Sequence, residues 1–420
     1  MDGSSDGSSD DVGAEAHRRE WASVLAATVR LTRDLDLAED CTQEAFAQAL
    51  RTWPTAGVPD RPGAWLTTVA RNRALDAMRR DALLRRMLPR LVVEDVVSGP
   101  DDADPAPAVA DDRLRLIFTC CHPALAREAQ VALTLRLLCG LSTAEVARAF
   151  LVQESAMAAR LTRAKRKIAT ARIPYRVPSA EELPRRLGAV LEVLHLVFTT
   201  GHTAPLGADL VRSDLTDSAL RLARLLHRVL PHETEATALL ALMLLTDARR
   251  ASRVSASGEL VLLADQDRGR WDHEEISEGV GLLVGALGEG PPGRYAVQAA
   301  LAAVHAEAPS WESTDWAEVV ALYEVLRGLW PSPVVELNRA VAVGMRDGPA
   351  AGLAALDRLL DEPALASYGY FSAARGDLLR RLERWDDAAA SYEEALQLID
   401  NDVERAFLFR RIEEVHARRP

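Results

Sequence analysis

The chain is poor in several things that would have pointed elsewhere. Cysteine occurs four times in 420 residues, at Cys41, Cys120, Cys121 and Cys139. One adjacent pair and wide gaps give neither a disulfide framework nor a zinc-finger spacing. Aromatic residues make up 5% of the chain, and no segment alternates apolar with polar residues over any distance, which excludes a β-sandwich or barrel. No apolar run is long enough to span a bilayer and no signal peptide is apparent, so a reduced, cytoplasmic protein is expected. Lysine occurs only twice, as Lys165 and Lys167; GC-rich coding is the plain reason for arginine elsewhere. The glycines of GEGPPG at 288–293 do not form a phosphate-binding loop, because prolines interrupt them and no Lys-Ser/Thr follows. His273-Glu274-Glu275 lacks the second histidine of a metalloprotease helix. With no nucleophile–base pair and no metal-ligand set, no enzyme, no metal and no cofactor is expected.

What remains is leucine, alanine and charge. The composition points to an all-α protein of two or three domains. The net charge is −12, but its distribution matters more than its total. Residues 1–175 carry 24 Arg/Lys and 24 Asp/Glu, which leaves 26 basic and 38 acidic residues for the rest. Within the neutral part, residues 60–90 hold eight Arg against three Asp, and residues 160–172 hold six basic residues and no acid. Two basic patches on a neutral background are an electrostatic footprint for nucleic acid.

In chain order, MDGSSDGSSDDVG (1–13) reads as a disordered tail. A helix from about Ala14 to Arg33 follows, then one from Ala38 to Trp53 with Ala38, Cys41, Ala45 and Leu50 as core and Glu39, Asp40, Gln43 and Glu44 exposed. After a turn-rich loop at 54–63, the helix PGAWLTTVARNRALDAMRR docks by Leu66, Val69, Ala70 and Ala77. Thr67, Thr68, Arg71, Asn72 and Arg79 project from its other side. Guanidinium forks pair with phosphates, Asn and Thr reach base edges, and Trp65 can stack on an unpaired base. A solvated Arg-rich face is the plain alternative. Residues 89–110 form a Pro/Asp/Ala linker. Helices resume at 111–120 and 124–138, the latter closed by Gly140. Ser142 and Glu145 have the spacing of a capping box that opens a short helix, and a longer helix runs from Glu154 to about Ala171. This pair reads as a helix-turn-helix in which Ser155, Met157, Ala158, Arg160 and Arg163 face a major groove and Lys165, Arg166 and Lys167 lie near phosphates.

Taken together, DLDLAEDCTQEAFAQALRTWP (34–54), RPGAWLTTVARNRALDAMRR (61–80), and LSTAEVARAF with ESAMAARLTRAKRKI (141–168) resemble the extracytoplasmic-function (ECF) class of bacterial RNA polymerase sigma factors. The resemblance implies a region 2 bundle over 14–88, a linker over 89–110 and a region 4 helix-turn-helix over 111–173. It assigns docking on the β′ clamp helices of core polymerase to Asp40, Gln43, Glu44 and Phe46. It assigns reading of the melted −10 strand to Trp65, Thr68, Arg71, Asn72, Arg79 and Arg80. The helix-turn-helix would read the −35 duplex and touch the β flap. One departure is Gln153-Glu154 at the start of the recognition helix, where relatives often have proline.

A short sigma factor would end near residue 172. Here residues 174–330 are expected to be a helical extension, and over 180–345 Leu/Ala-rich helices alternate with Pro/Gly breaks, with candidates at 181–199, 208–229, 232–252, 274–287, 294–307, 314–328 and 333–345. Over 331–420, Gly376, Ala388, Tyr392 and Ala395 match the small and aromatic positions of a tetratricopeptide (TPR) helix pair. The region resembles the TPR-like extension of one ECF subgroup, which implies a regulatory role and adds a small DGPF-domain protein, or another regulator, as a candidate partner. Asp265, Asp267, Arg268, Trp271 and Asp272 crowd behind an apolar run and form a candidate pocket; an internal salt-bridge network fixing a loop is the alternative. His202 and the Cys120–Cys121 pair read as core or helix-end residues. The rival to a sigma factor is a helix-turn-helix regulator with a TPR sensor that binds duplex DNA without polymerase; an enzyme fused to a DNA reader lacks a catalytic set.

Overall fold

The computed structural model describes residues 7–87, 112–150 and 152–418. The linker expected over 89–110 lies outside these residues. Of the expected tail, residues 1–6 also lie outside, whereas Gly7–Gly13 form the first turns of a helix. The described chain divides into two compact units, residues 1–193 and 194–420.

The first unit begins with three helices, α1 (Gly7–Thr32), α2 (Leu35–Ala56) and α3 (Pro62–Met87), each packed on the other two. Asp34, read from sequence as part of a turn, is the cap of α2: its carboxylate accepts from the backbone N–H of Asp36 (2.9 Å) and Leu37 (3.1 Å), satisfying donors the helix itself leaves unpaired. The helix therefore starts three residues before the expected Ala38. On α3, Leu66, Ala70 and Ala74 are fully buried against α1 and α2. On α2, Ala38, Cys41 and Ala45 are buried as expected, but Leu50 is 55% exposed and Ala49 takes its place in the core. Residues 35, 38, 39, 42, 45, 46, 49 and 53 form the buried stripe at helical period, and position 50 falls outside it.

The same unit continues with α4 (Asp112–Cys120), α5 (Arg127–Leu133) running into a π-helical turn at Thr134–Leu138, α6 (Thr143–Phe150) and α7 (Glu154–Thr170). Gly140 has φ +73°, the left-handed conformation a chain reversal needs here. A side chain at this position would press on the rings of His17 and Trp21. The capping box forms as expected, with Ser142 N–H donating to Glu145 (2.7 Å) and Glu145 N–H to Ser142 Oγ (3.2 Å). Helix α8 (Leu183–His202) carries the division between the units, about twenty residues beyond the boundary expected at 173. Tyr175 donates its hydroxyl to the Ala26 carbonyl (2.8 Å) and Arg186 reaches the Phe118 carbonyl (2.5 Å), so this connecting stretch is part of the first unit.

The second unit holds α9 (Ser213–Val229), α10 (Thr234–Asp247), α11 (His273–Gly288), α12 (Arg294–Glu307), α13 (Trp316–Leu329), α14 (Pro333–Arg346), α15 (Pro349–Asp357), α16 (Gly369–Arg381), α17 (Trp385–Leu398) and α18 (Asp402–His416). All seven helices expected between 181 and 345 are present within a few residues of the expected limits. α10 is apolar on nearly every face and buried from Ala236 to Leu245, with α9, α11 and α12 around it. No break separates 174–330 from 331–420: α14 gives Val335 and Ala342 to a core with α12 and α13, and Leu337 and Ala340 to a core with α15–α18. The all-α expectation needs one small correction. Leu206–Gly207 and Asp400–Asn401 pair as two-residue parallel strands, and the Asn401 amide locks the junction by donating to the carbonyls of Ala204 and Asp209, both at 3.0 Å.

The small and aromatic positions read from sequence in α16 and α17 do pack together. Tyr392, Ala388 and Ala395 are buried, and a Cβ built on Gly376 would lie 2.8 Å from the Tyr392 ring. Replacing Gly376 with Val is therefore expected to destabilise the second unit by about 1–3 kcal/mol through overpacking. Gly281→Ala, on the exposed side of α11 with open space around it, should instead gain about 0.5–1 kcal/mol. Urea unfolding of the two variants measures both; destabilisation of equal size in each would refute the packing account.

Candidate nucleic-acid interface

Helix α3 presents the first candidate surface. Opposite its buried Leu66–Ala70–Ala74 stripe, Thr68, Arg71, Asn72, Arg79 and Arg80 are all exposed. Arg71, Asn72 and Arg80 make no ion pair or side-chain hydrogen bond among the described residues, and Arg79 has only a solvated contact with Asp76 at 3.5 Å. Trp65 is half-buried, its ring 5.6 Å from that of Trp53 and tilted by 60°, so one aromatic anchors the other at the head of the helix. Unmatched guanidinium groups beside a fixed aromatic are what phosphates and unstacked bases require. The hydroxyl of Thr68 donates to the Ala64 carbonyl (2.8 Å), leaving its lone pairs to accept.

Helix α2 presents the second. Asp40, Gln43 and Glu44 are exposed along one side. Partial burial, then the neighbouring Glu39, push the Asp40 carboxyl up from its usual range. Glu44 pairs with Arg73 of α3 at 2.5 Å. Phe46, assigned to the same surface, is not there: it is buried against Trp21 (ring centroids 5.7 Å apart) and His17 (5.0 Å). It supports the helix from behind, because it occupies the buried stripe rather than the acidic face.

Helix α7 presents the third. Ser155, Ala158, Arg163, Arg166 and Lys167 are exposed, and Arg160 is half-buried over the Phe150 ring, 5.5 Å from its centroid. Met157 was expected to face a groove but is fully buried, since Met157, Leu161, Ala164 and Ile168 are the apolar stripe by which α7 packs. Lys165 was expected beside a phosphate and is instead folded onto α2. Its ammonium lies 2.6 Å from Glu39 and 2.8 Å from Asp36, with the side chain 13% exposed. Glu39 also pairs with Arg136 of the π-helical turn. Burial disfavours the charge on Lys165, but the Glu39 and Asp36 carboxylates outweigh it and hold the ammonium above its usual range.

The sequence places Glu39 among the exposed acids of α2. It is buried, 5% exposed. The signal was present in the helical period, which places position 39 on the stripe of Leu35, Ala38 and Thr42. Nothing local pointed to Arg136 as its partner.

The five residues expected to form a pocket at 265–272 do not converge. Asp267 accepts from Gly269 N–H (2.9 Å), and Asp272 caps α11 by accepting from Glu274 and Glu275 N–H (both 3.0 Å). Arg268 stacks on the buried Trp271, 4.4 Å from the ring centroid, and donates to the His305 (2.5 Å) and Ala308 (2.8 Å) carbonyls. These four residues fix a loop; Asp265 and Asp272 line two separate cavities rather than a shared one. No group of three or more His, Cys, Asp or Glu that could hold a metal occurs among the described residues. No helix among them is long and apolar enough to cross a membrane. The four cysteines are free and buried.

Comparison with known proteins places families along this chain. Residues 16–84 match sigma-70 region 2, residues 115–168 match sigma-70 region 4, and residues 186–287 match a family of unknown function, DUF6596. An uncharacterized protein of Rhizobium meliloti (strain 1021) is 43% identical over 392 residues, covering 92% of this chain and 91% of its own length. A probable ECF RNA polymerase sigma factor, SigI, of Mycobacterium tuberculosis is 31% identical over 169 residues, 40% of this chain and 56% of SigI.

Two outcomes follow from these geometries. Glu39→Ala leaves the Lys165 and Arg136 charges partly buried without their shared counter-charge and should cost about 3–5 kcal/mol. Glu44→Ala removes a solvated pair and should cost less than about 1 kcal/mol; denaturant unfolding of the two variants separates them, and equal losses would refute a special role for Glu39. The second outcome concerns pH. Burial, then the charges of Asp247 and Asp272, push the Glu275 carboxyl up to about 7 from the usual 4.5. Between those values the native chain holds a proton the unfolded chain has released, so this group's contribution is complete below pH 4.5 and lost as pH rises through about 7. Glu275→Gln should flatten that part of the stability–pH curve, and an unchanged slope would rule the group out.

Proposed function

Because the chain belongs to the sigma-70 family of RNA polymerase sigma factors, in its ECF class and with a C-terminal DUF6596 domain, we propose a division of labour among its helices. Sigma factors of this family are not enzymes; they bind core polymerase and direct it to promoters. In this reading the exposed side of α2, Asp40, Gln43 and Glu44, docks on the β′ clamp helices. The free face of α3 reads the melted −10 strand: Trp65 stacks, Arg71, Arg79 and Arg80 hold phosphates, and Thr68 and Asn72 reach base edges. Ser155, Ala158, Arg160 and Arg163 of α7 read the −35 duplex, with Lys165, Arg166 and Lys167 on its phosphates and the β flap nearby. The observation that carries the reading is the row of exposed, unmatched arginines and Asn72 on α3, within the segment that matches region 2.

The contact of α7 with α2 bears on how the readers act. The −10 and −35 elements lie about 25 base pairs apart, or ~85 Å at 3.4 Å per pair. Lys165 and Glu39 lie 2.6 Å apart. Reading both elements at once thus calls for region 4 to leave region 2, and for Lys165 to exchange two carboxylates for a phosphate. The arrangement with Lys165 paired is a resting one, and polymerase core supplies the binding energy that opens it. The C-terminal domain, TPR-like in its small and aromatic packing, controls this step, with a small DGPF-domain protein or another regulator as its partner.

Arg71→Ala combined with Asn72→Ala is expected to reduce promoter opening about a hundredfold, the worth of one or two hydrogen bonds to charged groups, while core binding changes less than about twofold. Permanganate reactivity of the −10 thymines reads the first and native gel shift with core polymerase the second. Equal loss of both would sink the assignment of α3. Tight, specific duplex binding without polymerase would favour a conventional helix-turn-helix regulator instead.

A further inference from the structure

The second unit contains a two-part cavity that none of the preceding roles uses. Its larger part, about 690 Å³, lies among α14, α16, α17 and α18 and the loops carrying Leu262 and Trp311. Its walls are mainly apolar, and most of the charges around it are matched within the chain: Asp377 pairs with Arg380 (2.6 Å) and Arg411 with Glu414 (2.7 Å). The smaller part, about 510 Å³, lies among α8, α10, α12 and α14 and carries His202 and Arg253. Val341, Tyr370, Ala374 and Glu404 line both parts, so the two meet at that throat. The sizes are those of small-molecule sites.

The polar end holds buried groups the fold leaves unmatched. His202 is 7% exposed, and neither of its ring nitrogens has a hydrogen-bond partner. Burial and then the nearby Arg253 push it down to about 2, so it is a neutral ring offering one donor and one acceptor. Arg253 is 9% exposed and donates to the His202 carbonyl and to Thr203 Oγ1 (2.9 Å). Among the described residues no carboxylate lies within ion-pair distance of it, and two of its five N–H groups are accounted for by those bonds. Glu404, the acid facing the same space, is already bound: the Tyr370 hydroxyl lies 2.9 and 3.0 Å from its two oxygens. A buried donor without an acceptor is costly, and a guanidinium without a counter-charge is costlier still. The missing group is therefore an acceptor bearing negative charge, and the space beside it suits an apolar body.

We propose that this unit binds a small amphipathic organic anion, its carboxylate at His202 and Arg253 and its apolar body in the cavity beyond the Tyr370–Ala374 throat. The DUF6596-matched segment supplies His202 and Arg253, and the helices beyond it supply the apolar part. The sigma factor would then carry its own metabolite sensor, independent of how its readers engage DNA.

Isothermal titration of the full chain with decanoate and with 2-naphthoate tests this, using decan-1-ol and decyltrimethylammonium as controls below their micelle concentrations. At least one acid should saturate at one per chain and bind about tenfold or more tighter than the alcohol, as expected for a hydrogen bond to charge. Arg253→Met should remove that preference, but it also strips the end of α8 of a bond and can unfold the unit. Ala374→Phe, which fills the throat from a half-buried position, is the second variant; it should keep the helical circular-dichroism signal and lose acid binding. Saturation by neither acid, equal affinity for the alcohol, preference for the cation, or undiminished binding to a folded Ala374→Phe chain would each overturn the proposal.

Discussion

The first unit depends on one buried carboxylate. Glu39 sits on the apolar stripe of α2, where an uncompensated charge would be prohibitive. Arg136 reaches it from the π-helical turn and Lys165 from α7, so three elements far apart in sequence are tied through one side chain. Further hydrogen bonds tie the unit together: Trp21 donates its indole N–H to the Leu137 carbonyl at 3.1 Å, and the Tyr175 hydroxyl donates to the Ala26 carbonyl of α1. A buried ion triad adds little net stability, because desolvation offsets much of the attraction, whereas loss of one member is costly. It is suited to a contact that must be definite when formed and still able to break.

That property gives the family assignment mechanical content. On the proposed function, an interface that closes in isolation and opens on a promoter needs polar groups that find equivalent partners elsewhere. In the proposed function Lys165 would exchange its carboxylates for a phosphate and keep its charge paired. A purely apolar interface would expose its area to water on opening, at about 25 cal/mol per Å².

The second unit is built on different terms. Its α10 is enclosed by α9, α11 and α12, and α14 belongs to two cores at once. Close approach of α16 and α17 rests on Gly376 under the Tyr392 ring. Against this background His202, whose two ring nitrogens have no partner, and Arg253, which has no carboxylate within ion-pair distance among the described residues, face a cavity. The loop at 265–272, by contrast, resolves into caps and a cation–π stack and needs no ligand to explain it.

Much of this was legible in the linear chain. Helix positions, the capping box at Ser142–Glu145, the left-handed Gly140 and the exposed face of α3 follow from period, capping chemistry and backbone sterics, all local within a few residues. The order of the sigma motifs is likewise a property of the sequence alone. What failed was burial where the period was read loosely: Met157 and Phe46 lie on apolar stripes and are core, Leu50 lies off one and is exposed, and Glu39 lies on one despite its charge. Only the tertiary structure decided the partners. That Lys165 meets Asp36 and Glu39 across about 130 residues, and that His202 and Arg253 open toward Tyr370 and Glu404, depends on how helices stack. A side chain's neighbours across a core are set by the packing of whole elements, which no local pattern encodes.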